Sequence, residues 1–334
     1  MVAFTKPSLS IDAQLTLLMS RGLQVPDYPR AKRYFTFINY YRLGGYFLPF
    51  CLAASHNFKQ NTSFDDVLNL YIFDRQLRLL SMDAIERIEI GVRTAIINVM
   101  SNNHGAHWYM DSRLFSYHYK FNHNDFLEQV KNESGYHNPR KRGPSLNHYY
   151  TKYTYPALPP SWMIGDILSL GTWSIIFERI NCAKSKKEVA SLFSLRHPQL
   201  SSWMHALSFI RNICAHHSKL WDRIFTVKPE IIPPISTLMT PNTTFFAYSV
   251  MMNYMLTHIT NAPTWSDRLC NLIASCPLDS QIHMGFPVGW HLNPFWRISP
   301  TAPVPPAAVR KRSQAQKRIC AMITAKKRAR RACR

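Results

Sequence analysis

The sequence predicts an all-α protein, a helical bundle, from its glycine content and its apolar periodicity. Only 11 glycines occur among 334 residues, and most of them stand where a helical pattern stops. Apolar residues recur at intervals of three and four, whereas the strict apolar–polar alternation of half-buried strands is scarce. Because 46% of the residues are hydrophobic, the chain can bury a core without disulfides or metal ions.

The first two helices are predicted over 11–21 and about 30–42. Ser10 is a good N-cap for the first of them, and Gly22 stops its periodicity in the manner of a C-terminal cap.

The strongest helical pattern follows Ser63. This residue is a good N-cap three positions before Asp66, and apolar residues then recur at helical spacing as far as Val99 without a proline. The pattern predicts one long helix or two helices end to end. Further helices are predicted over about 161–180, 185–194, 199–217, 244–261 and 264–275.

The charge balance points to a polyanionic partner. Forty Lys and Arg against 19 Asp and Glu give a formal net charge of +21, as expected for a protein that binds nucleic acid or an anionic membrane surface. Residues 297–334 hold twelve of these cations and no acid, which leaves +9 on residues 1–296. We therefore predict a helical domain, 1–296, and a Pro-rich linker with a Lys- and Arg-rich tail, 297–334, which we expect to be disordered when free.

Two basic segments are candidate RNA contacts. Residues 135–160 have the Gly-, Pro- and Tyr-rich composition of a loop with a basic tip. The tail is the second segment, although any stretch this cationic adheres to nucleic acid without specificity. The candidate cations are Arg140, Lys141, Arg142, Arg310, Lys311 and Arg312.

Cysteine usage and hydropathy favour a cytoplasmic protein with no membrane partner. The seven cysteines are scattered and include no C-x2-C pair. The start of the chain lacks the charged-then-apolar order of a signal peptide, and no uncharged apolar run approaches the roughly 20 residues that span a bilayer. The His-rich stretch 104–148 has no H-E-x2-H pattern, so we expect no metal site and no cofactor.

One segment carries the residue types of acid–base chemistry. An otherwise apolar stretch contains Arg211, Asn212, His216 and His217. Cleavage of RNA by its own 2′-hydroxyl needs a base, an acid and positive charge on the phosphorane, and His and Arg supply all three without a metal ion. The less specific explanation of these residues is structural: an Arg and a His in a helical core whose hydrogen bonds are made by neighbouring polar groups.

The spacing of these residues raises a geometric difficulty. A five-residue offset turns His216 roughly 140° from Arg211 around a straight helix. A bent helix, the reach of the arginine side chain, or a site shared between two copies of the chain would bring both to one phosphate. We favour the shared site.

The segment Arg211-Asn212-Ile213-Cys214-Ala215-His216 resembles the R-N-x3-H form of the R-x4–6-H signature of HEPN ribonucleases. Its surroundings resemble the Abi-like (abortive infection) branch in particular. A lone R-x4-H is a weak signal, but four further blocks look like the family's other blocks in the family's order, over about 6–296. These blocks are Ile38–Tyr46, Tyr71–Arg78, Ala84–Ile90 and Met284–Pro287.

The resemblance implies a HEPN-like helical bundle with additional helices, frequent homodimerisation, and phage defence through RNA cleavage that halts growth. Some members behave as toxins, so a neutralising RNA or protein partner is implied as well. On this basis Arg211 would stabilise the phosphate, His216 would be the acid and base, and Asn212 would hold the helix start or the substrate. His217 fits the looser spacing, and His216 is preferred because R-N-x3-H is the commoner form.

Supporting roles are open for two acids on the long helix. Glu86 and Glu89 lie three residues apart and could orient Arg211, although ordinary surface ion pairs with Arg87 and Arg93 are the favoured explanation.

A further candidate RNA contact is Arg42. It follows Tyr40 and Tyr41, and aromatics beside a cation stack on unpaired bases, although packing of the tyrosines in the core is favoured.

Two other functions remain open beside the endoribonuclease. A non-catalytic HEPN module would bind RNA through Arg211 and His216, and substitution of His216 would then leave growth arrest unchanged. A toxin-like interaction protein would show no RNA affinity once residues 297–334 are removed.

Overall fold

The computed structural model consists of α-helices, as the sequence predicts. It describes residues 7–53, 55–119, 121–260 and 264–296, together with Ala3 and Thr5. Within them, extended backbone pairs only at isolated bridges. The helices are α1 (Ile11–Ser20), α2 (Tyr28–Ile38), α3 (Tyr40–Phe47), α4 (Phe64–His104), α5 (His123–Glu133), α6 (Pro144–Lys152), α7 (Ser161–Ile164), α8 (Leu170–Arg179), α9 (Ala183–Ser191), α10 (His197–Ala215), α11 (Phe245–Ile259), α12 (Trp265–Ala274) and α13 (Ser280–Met284).

The 41-residue helix α4 is the element against which most others pack. Its start is the predicted one: the Ser63 hydroxyl accepts a hydrogen bond from the Asp66 amide, and the Asp66 carboxylate accepts one from the Ser63 amide at 2.8 Å. This reciprocal capping box satisfies backbone donors that the first turn leaves free. The long-helix prediction is confirmed as a single helix, because nothing interrupts its buried apolar face before Gly105.

Helix α1 is confirmed with both of its predicted caps. The Ser10 side chain accepts from the Ala13 amide. At the other end Gly22 has φ +95° and donates to the carbonyl of Met19, while the Leu23 amide donates to that of Leu18. This pair of bonds is a Schellman motif, in which glycine occupies the left-handed position without steric cost.

The prediction of one helix over 30–42 is wrong, since the chain breaks at Asn39. This residue has φ +63°, ends α2 and caps α3 through its side chain, which accepts from the Arg42 amide at 2.9 Å. With ψ 157° this is an extended conformation at positive φ that side-chain-bearing residues rarely adopt. The apolar pattern continues on both sides of Asn39, which hid the break. The turn places Arg42 in the first turn of α3.

The loop prediction for 135–160 is also wrong in part. A short 3-10 turn, Pro139–Lys141, and helix α6 lie within it. Helix α6 forms because its first residue, Pro144, favours a helix start.

Helix α5 was not predicted, and the helix predicted over 161–180 is two helices, α7 and α8. The four later predicted helices are present as α9, α10, α11 and α12. The predicted tail, 297–334, lies outside the described residues.

A fully buried carboxylate joins the N-terminal third of α4 to the chain that follows α10. Asp74 accepts hydrogen bonds from the Tyr46 hydroxyl at 2.5 Å and from the Arg78 guanidinium. Its other oxygen accepts from the backbone amides of Leu220 and Trp221 at 3.0 and 2.6 Å. Four donors therefore satisfy a charge that would otherwise be costly to bury. This side chain therefore anchors the segment after α10 to α3 and α4.

Asp74→Asn should lower the free energy of unfolding by about 3–5 kcal/mol, because it leaves the buried Arg78 without its counter-ion. Urea titration measures this loss, and hydrogen exchange should show faster exchange at the Leu220 and Trp221 amides. Asp65→Asn is the control on the same helix, since its pair with Arg30 is 45% exposed on each side and should contribute at most about 1 kcal/mol. Equal losses in the two variants would contradict the anchoring role of Asp74.

Candidate active site

Helix α10 ends in the residues that the motif singles out. Its last helical residue is Ala215, His216 is the C-cap and His217 is the next residue, with φ +54°. The His217 amide donates to the carbonyl of Cys214, and the Ser218 amide donates to that of Ile213, both at 3.0 Å. This is a Schellman motif in which His217 occupies the position that glycine usually takes. The predicted helix over 199–217 therefore stops two residues early, and both histidines are exposed.

Arg42 fixes this end of the helix from the neighbouring α3. Its Nη1 donates to the carbonyl of His217 at 3.0 Å, over 175 residues of chain. Helix C-termini present carbonyls without intrahelical partners and attract cations. The structure thus brings Arg42, a predicted RNA contact, together with the two motif histidines.

Two clefts open beside this contact, and Arg42 and His217 line both. The α4 cleft has a volume of about 580 Å³. It is lined by Phe37, Ile38, Arg42, Tyr71, Arg75, Arg78, Leu79, Met82, Cys214, Ala215 and His217. The α3 cleft has a volume of about 700 Å³. It is lined by Asn39, Tyr40, Tyr41, Arg42, Gly44, Gly45, Tyr46, Leu48, His216, His217, Ser218, Lys219 and Arg223.

The cations of the α3 cleft are held by backbone carbonyls. Arg42 donates to His217 O, the Nζ of Lys219 lies 3.4 Å from Gly45 O, and the Nε of Arg223 donates to Lys219 O at 2.8 Å. Among the described residues that line this cleft there is no carboxylate. A carbonyl orients a cation but leaves its charge in place, so the cleft is positively charged and suited to an anion.

Burial changes the acidity of two groups beside the histidines. It raises the pKa of the Cys214 thiol to about 12, so Cys214 stays protonated and acts as part of the core. Burial also lowers the pKa of Lys219, against the opposing effect of Asp222 and Asp74. Sequence reasoning missed Lys219, whose position at the cleft depends on the anchoring of the next two residues, Leu220 and Trp221, by Asp74.

Arg211 and Asn212 lie on α10, about one turn before its end. Arg211 is half-buried, and its hydrogen bonding among the described residues is one long contact of 3.5 Å to the Asn212 side chain. It lines neither cleft, whereas Ala215, one turn along the same face, lines the α4 cleft. Within the described residues Arg211 forms no ion pair. The structure therefore brings His216 and His217 to the clefts and leaves Arg211 beside them.

The two supporting acids do not meet Arg211 in any hydrogen bond of the described residues. Glu89 pairs with Arg93, which also pairs with Asp166, and the side chains of Glu89 and Arg93 are mostly buried. Glu86 is exposed.

The neighbouring tyrosines of α3 divide between core and surface. Tyr40 packs against Phe35 and Phe47, as favoured from the sequence. Tyr41 lines the α3 cleft and is 91% exposed, so the core-packing explanation is wrong for this ring.

The other candidate RNA contacts lie on different parts of the chain. Arg140 and Lys141 are exposed on the 3-10 turn. Arg142 stacks over the Tyr150 ring at 4.4 Å and donates to the carbonyls of Gly135 and Tyr136, so its guanidinium stabilises this loop. The tail residues fall outside the described part of the chain, and they are Arg310, Lys311 and Arg312.

Two general features of the described residues bear on the class of site. They contain no cluster of three or more His, Cys, Asp or Glu side chains arranged to hold a metal ion. None of their helices has the length and apolar character needed to cross a bilayer.

His217→Gly should raise the free energy of unfolding by about 1 kcal/mol, because it removes the steric cost of a side chain at positive φ. Thermal or urea unfolding measures the change. Ser194→Gly is the matched control, since Ser194 has φ +52° at the end of α9, away from the clefts. A gain at Ser194 combined with a loss at His217 would mean that the His217 side chain itself stabilises the cap.

Comparison with known proteins gives one match. The family model of the Abi-like proteins matches residues 33–222, more than half of the chain. The matched range runs from α2 to the segment that Asp74 anchors, and it contains four of the five sequence blocks, with Met284–Pro287 beyond it. No curated protein and no solved structure matches. The chain belongs to the family of Abi-like proteins.

Proposed function

We propose that this Abi-like protein is an abortive-infection phage-defence factor of the HEPN type, a metal-independent endoribonuclease that cleaves RNA by 2′-hydroxyl attack. The family assignment supports the defence role. One observation carries the chemistry: two exposed histidines at the end of α10 border a cleft whose lining cations are oriented by backbone carbonyls and are not paired with a carboxylate in the lining.

These residue types can perform each proton transfer of the reaction. A neutral histidine takes the proton of the 2′-hydroxyl, whose oxygen attacks the adjacent phosphorus. The bond from phosphorus to the 5′-oxygen then breaks, and a protonated histidine or a water donates a proton to the leaving oxygen. The products are a 2′,3′-cyclic phosphate and a 5′-hydroxyl. Arginine stabilises the negative charge that the phosphorane gains. His216 is assigned as the acid and base, with His217 as the alternative.

The position of Arg211 supports a site shared between two copies of the chain. Arg211 keeps its charge free of ion pairs within the described residues, yet it borders neither cleft of its own chain. A second copy related by a twofold axis would present its Arg211 to the first copy's His216, and the reverse. We therefore propose a homodimer as the active form.

The alternative function is an RNA-binding module without catalysis. The lack of a direct Arg211–His216 contact within one chain favours it, because a grip on phosphate does not require the two side chains to meet at one atom. A ribonuclease active at all times would harm its host, so the catalytic proposal also requires a restraint. This restraint is a neutralising RNA, a neutralising protein, or a closed cleft that opens on infection.

Induced expression in a bacterial host should arrest growth for the wild-type chain and not for Arg211→Ala or His216→Ala at matched protein levels. Sequencing of RNA 3′ ends should find 2′,3′-cyclic phosphates in the wild type alone. Each substitution removes one group from the chemical step, which costs typically 10²-fold or more in rate. His205→Ala is the control, since His205 is an exposed histidine on α10 that lines neither cleft.

Growth arrest by all four proteins without new RNA ends would reject catalysis and favour the binding module. Loss of activity in His217→Ala but not in His216→Ala would transfer the acid–base role to His217.

Co-expression of Arg211→Ala with His216→Ala should restore cleavage to about a quarter of the wild-type level. Half of the randomly mixed dimers are then heterodimers, and each has one intact shared site. Two affinity tags and sequential purification establish that mixed dimers form. Mixed dimers without cleavage would mean that both residues must come from the same chain.

A further inference from the structure

The α3 cleft contains more positive charge than the proposed chemical step uses. Besides the histidines and Arg42, it holds Lys219 and Arg223, which belong to none of the motif positions. Both follow the Schellman motif of α10 within a few residues, on the segment that Asp74 anchors.

We propose that the α3 cleft is a nucleotide subsite that flanks the cleavage position, in which Lys219 and Arg223 bind a phosphate of the RNA and Tyr41 stacks on the neighbouring base. This inference rests on the proposed function for its ligand, an unpaired RNA segment. It adds the residues that hold that segment beside the cut.

The two phosphate-binding side chains are preorganised. The carbonyl of Lys219 accepts from the Nε of Arg223, so the backbone of one residue orients the guanidinium of the other. The terminal nitrogens of Arg223 form no hydrogen bond or ion pair among the described residues, and they remain available to a phosphate. Lys219 packs along Gly45, with its Nζ 5.4 Å from the centre of the Trp221 ring.

The surroundings of Lys219 favour an anion. Burial lowers its pKa, and Arg223 adds to this effect, while Asp222 and Asp74 oppose it. Asp74 is saturated by four donors, and Asp222 lies 3.2 Å from His283. Within the described part of the chain Lys219 forms no ion pair. A partly desolvated ammonium in this state gains more from a phosphate than an exposed lysine does.

Tyr41 and Gly44 give the cleft room for a base. The Tyr41 ring is 91% exposed at the rim, and aromatic rings at such positions stack on unpaired bases. A Cβ added at Gly44 would meet no atom within 4 Å, so this part of α3 faces open space. The helical backbone at Gly44 suits L-residues such as leucine, and a larger side chain there would occupy the cleft without backbone strain.

The test measures binding of the full-length chain to a single-stranded 2′-O-methyl RNA, which lacks the nucleophile and cannot be cut. Lys219→Gln should weaken binding roughly ten-fold, and should reduce the slope of log affinity against log salt by about 0.7, as expected for one lost phosphate contact on a single strand. Lys186→Gln is the matched control. Its lysine is also partly buried with a lowered pKa and donates to a backbone carbonyl, but it lies on α9, outside the cleft.

Variants at two further positions, Tyr41 and Gly44, test the stacking of a base and the space available for it in the cleft. Tyr41→Ala should weaken binding roughly ten-fold, whereas Tyr41→Phe should bind as the wild type does, because only the ring face is needed. Tyr117→Ala is the control at a tyrosine of the same exposure, outside both clefts. Gly44→Leu should keep or raise thermal stability and still weaken binding, so loss of folding does not explain its effect.

Equal affinity and salt slope for wild type, Lys219→Gln and Gly44→Leu would overturn the subsite. Because the oligonucleotide cannot be cleaved, this result is separate from the growth assay. If the chain binds RNA through the α3 cleft but does not cut it, the subsite proposal holds and the proposed catalysis is rejected. If the chain cuts RNA and these variants change neither affinity nor salt slope, the catalysis holds and the subsite proposal is rejected.

Discussion

The buried carboxylate of Asp74 is the interaction on which the geometry of the candidate site depends. It lies in the N-terminal third of the 41-residue helix α4, and through its four donors it ties together α3, α4 and the segment after α10. A buried ion pair contributes little net stability relative to apolar residues, but breaking one is costly. The contribution of Asp74 is therefore to position rather than to net stability. It fixes the segment that carries both histidines and Lys219 beside α3.

The burial of Asp74 also keeps its negative charge out of the lining of the α3 cleft. A carboxylate placed in the cleft would attract Arg42 or Lys219 and neutralise it, whereas a carboxylate buried behind the cleft and saturated by its own donors leaves those cations to backbone carbonyls. Carbonyl oxygens orient a guanidinium or an ammonium through a dipole, so the full positive charge remains available to a phosphate. In the described part of the chain, the carboxylate that positions the site is thus buried, and the cationic side chains of the site lie at the cleft.

The sequence predicted those parts of the fold that depend on local pattern. The capping box before α4 and the glycine after α1 are short-range signals, and both are present. The break at Asn39 was missed because apolar spacing continues across it, and α5 was missed because its buried face is only Phe126 and Val130. The motif residues were identified from their residue types and from the resemblance to a family signature, yet the pairing of Arg42 with His217 joins positions 175 residues apart. No local pattern encodes such a contact, and Lys219 was missed for the same reason.

The arrangement of charge also bears on how two copies could share a site. Two clefts of the same sign that face each other across a twofold axis repel, and within the screening length of about 8–10 Å at physiological salt this repulsion opposes association. An RNA strand between them would supply negative charge to both faces and offset that cost. In the proposed dimer, substrate binding and assembly therefore favour each other, and the free Arg211 of each copy meets the partner's histidine where a phosphate lies between them.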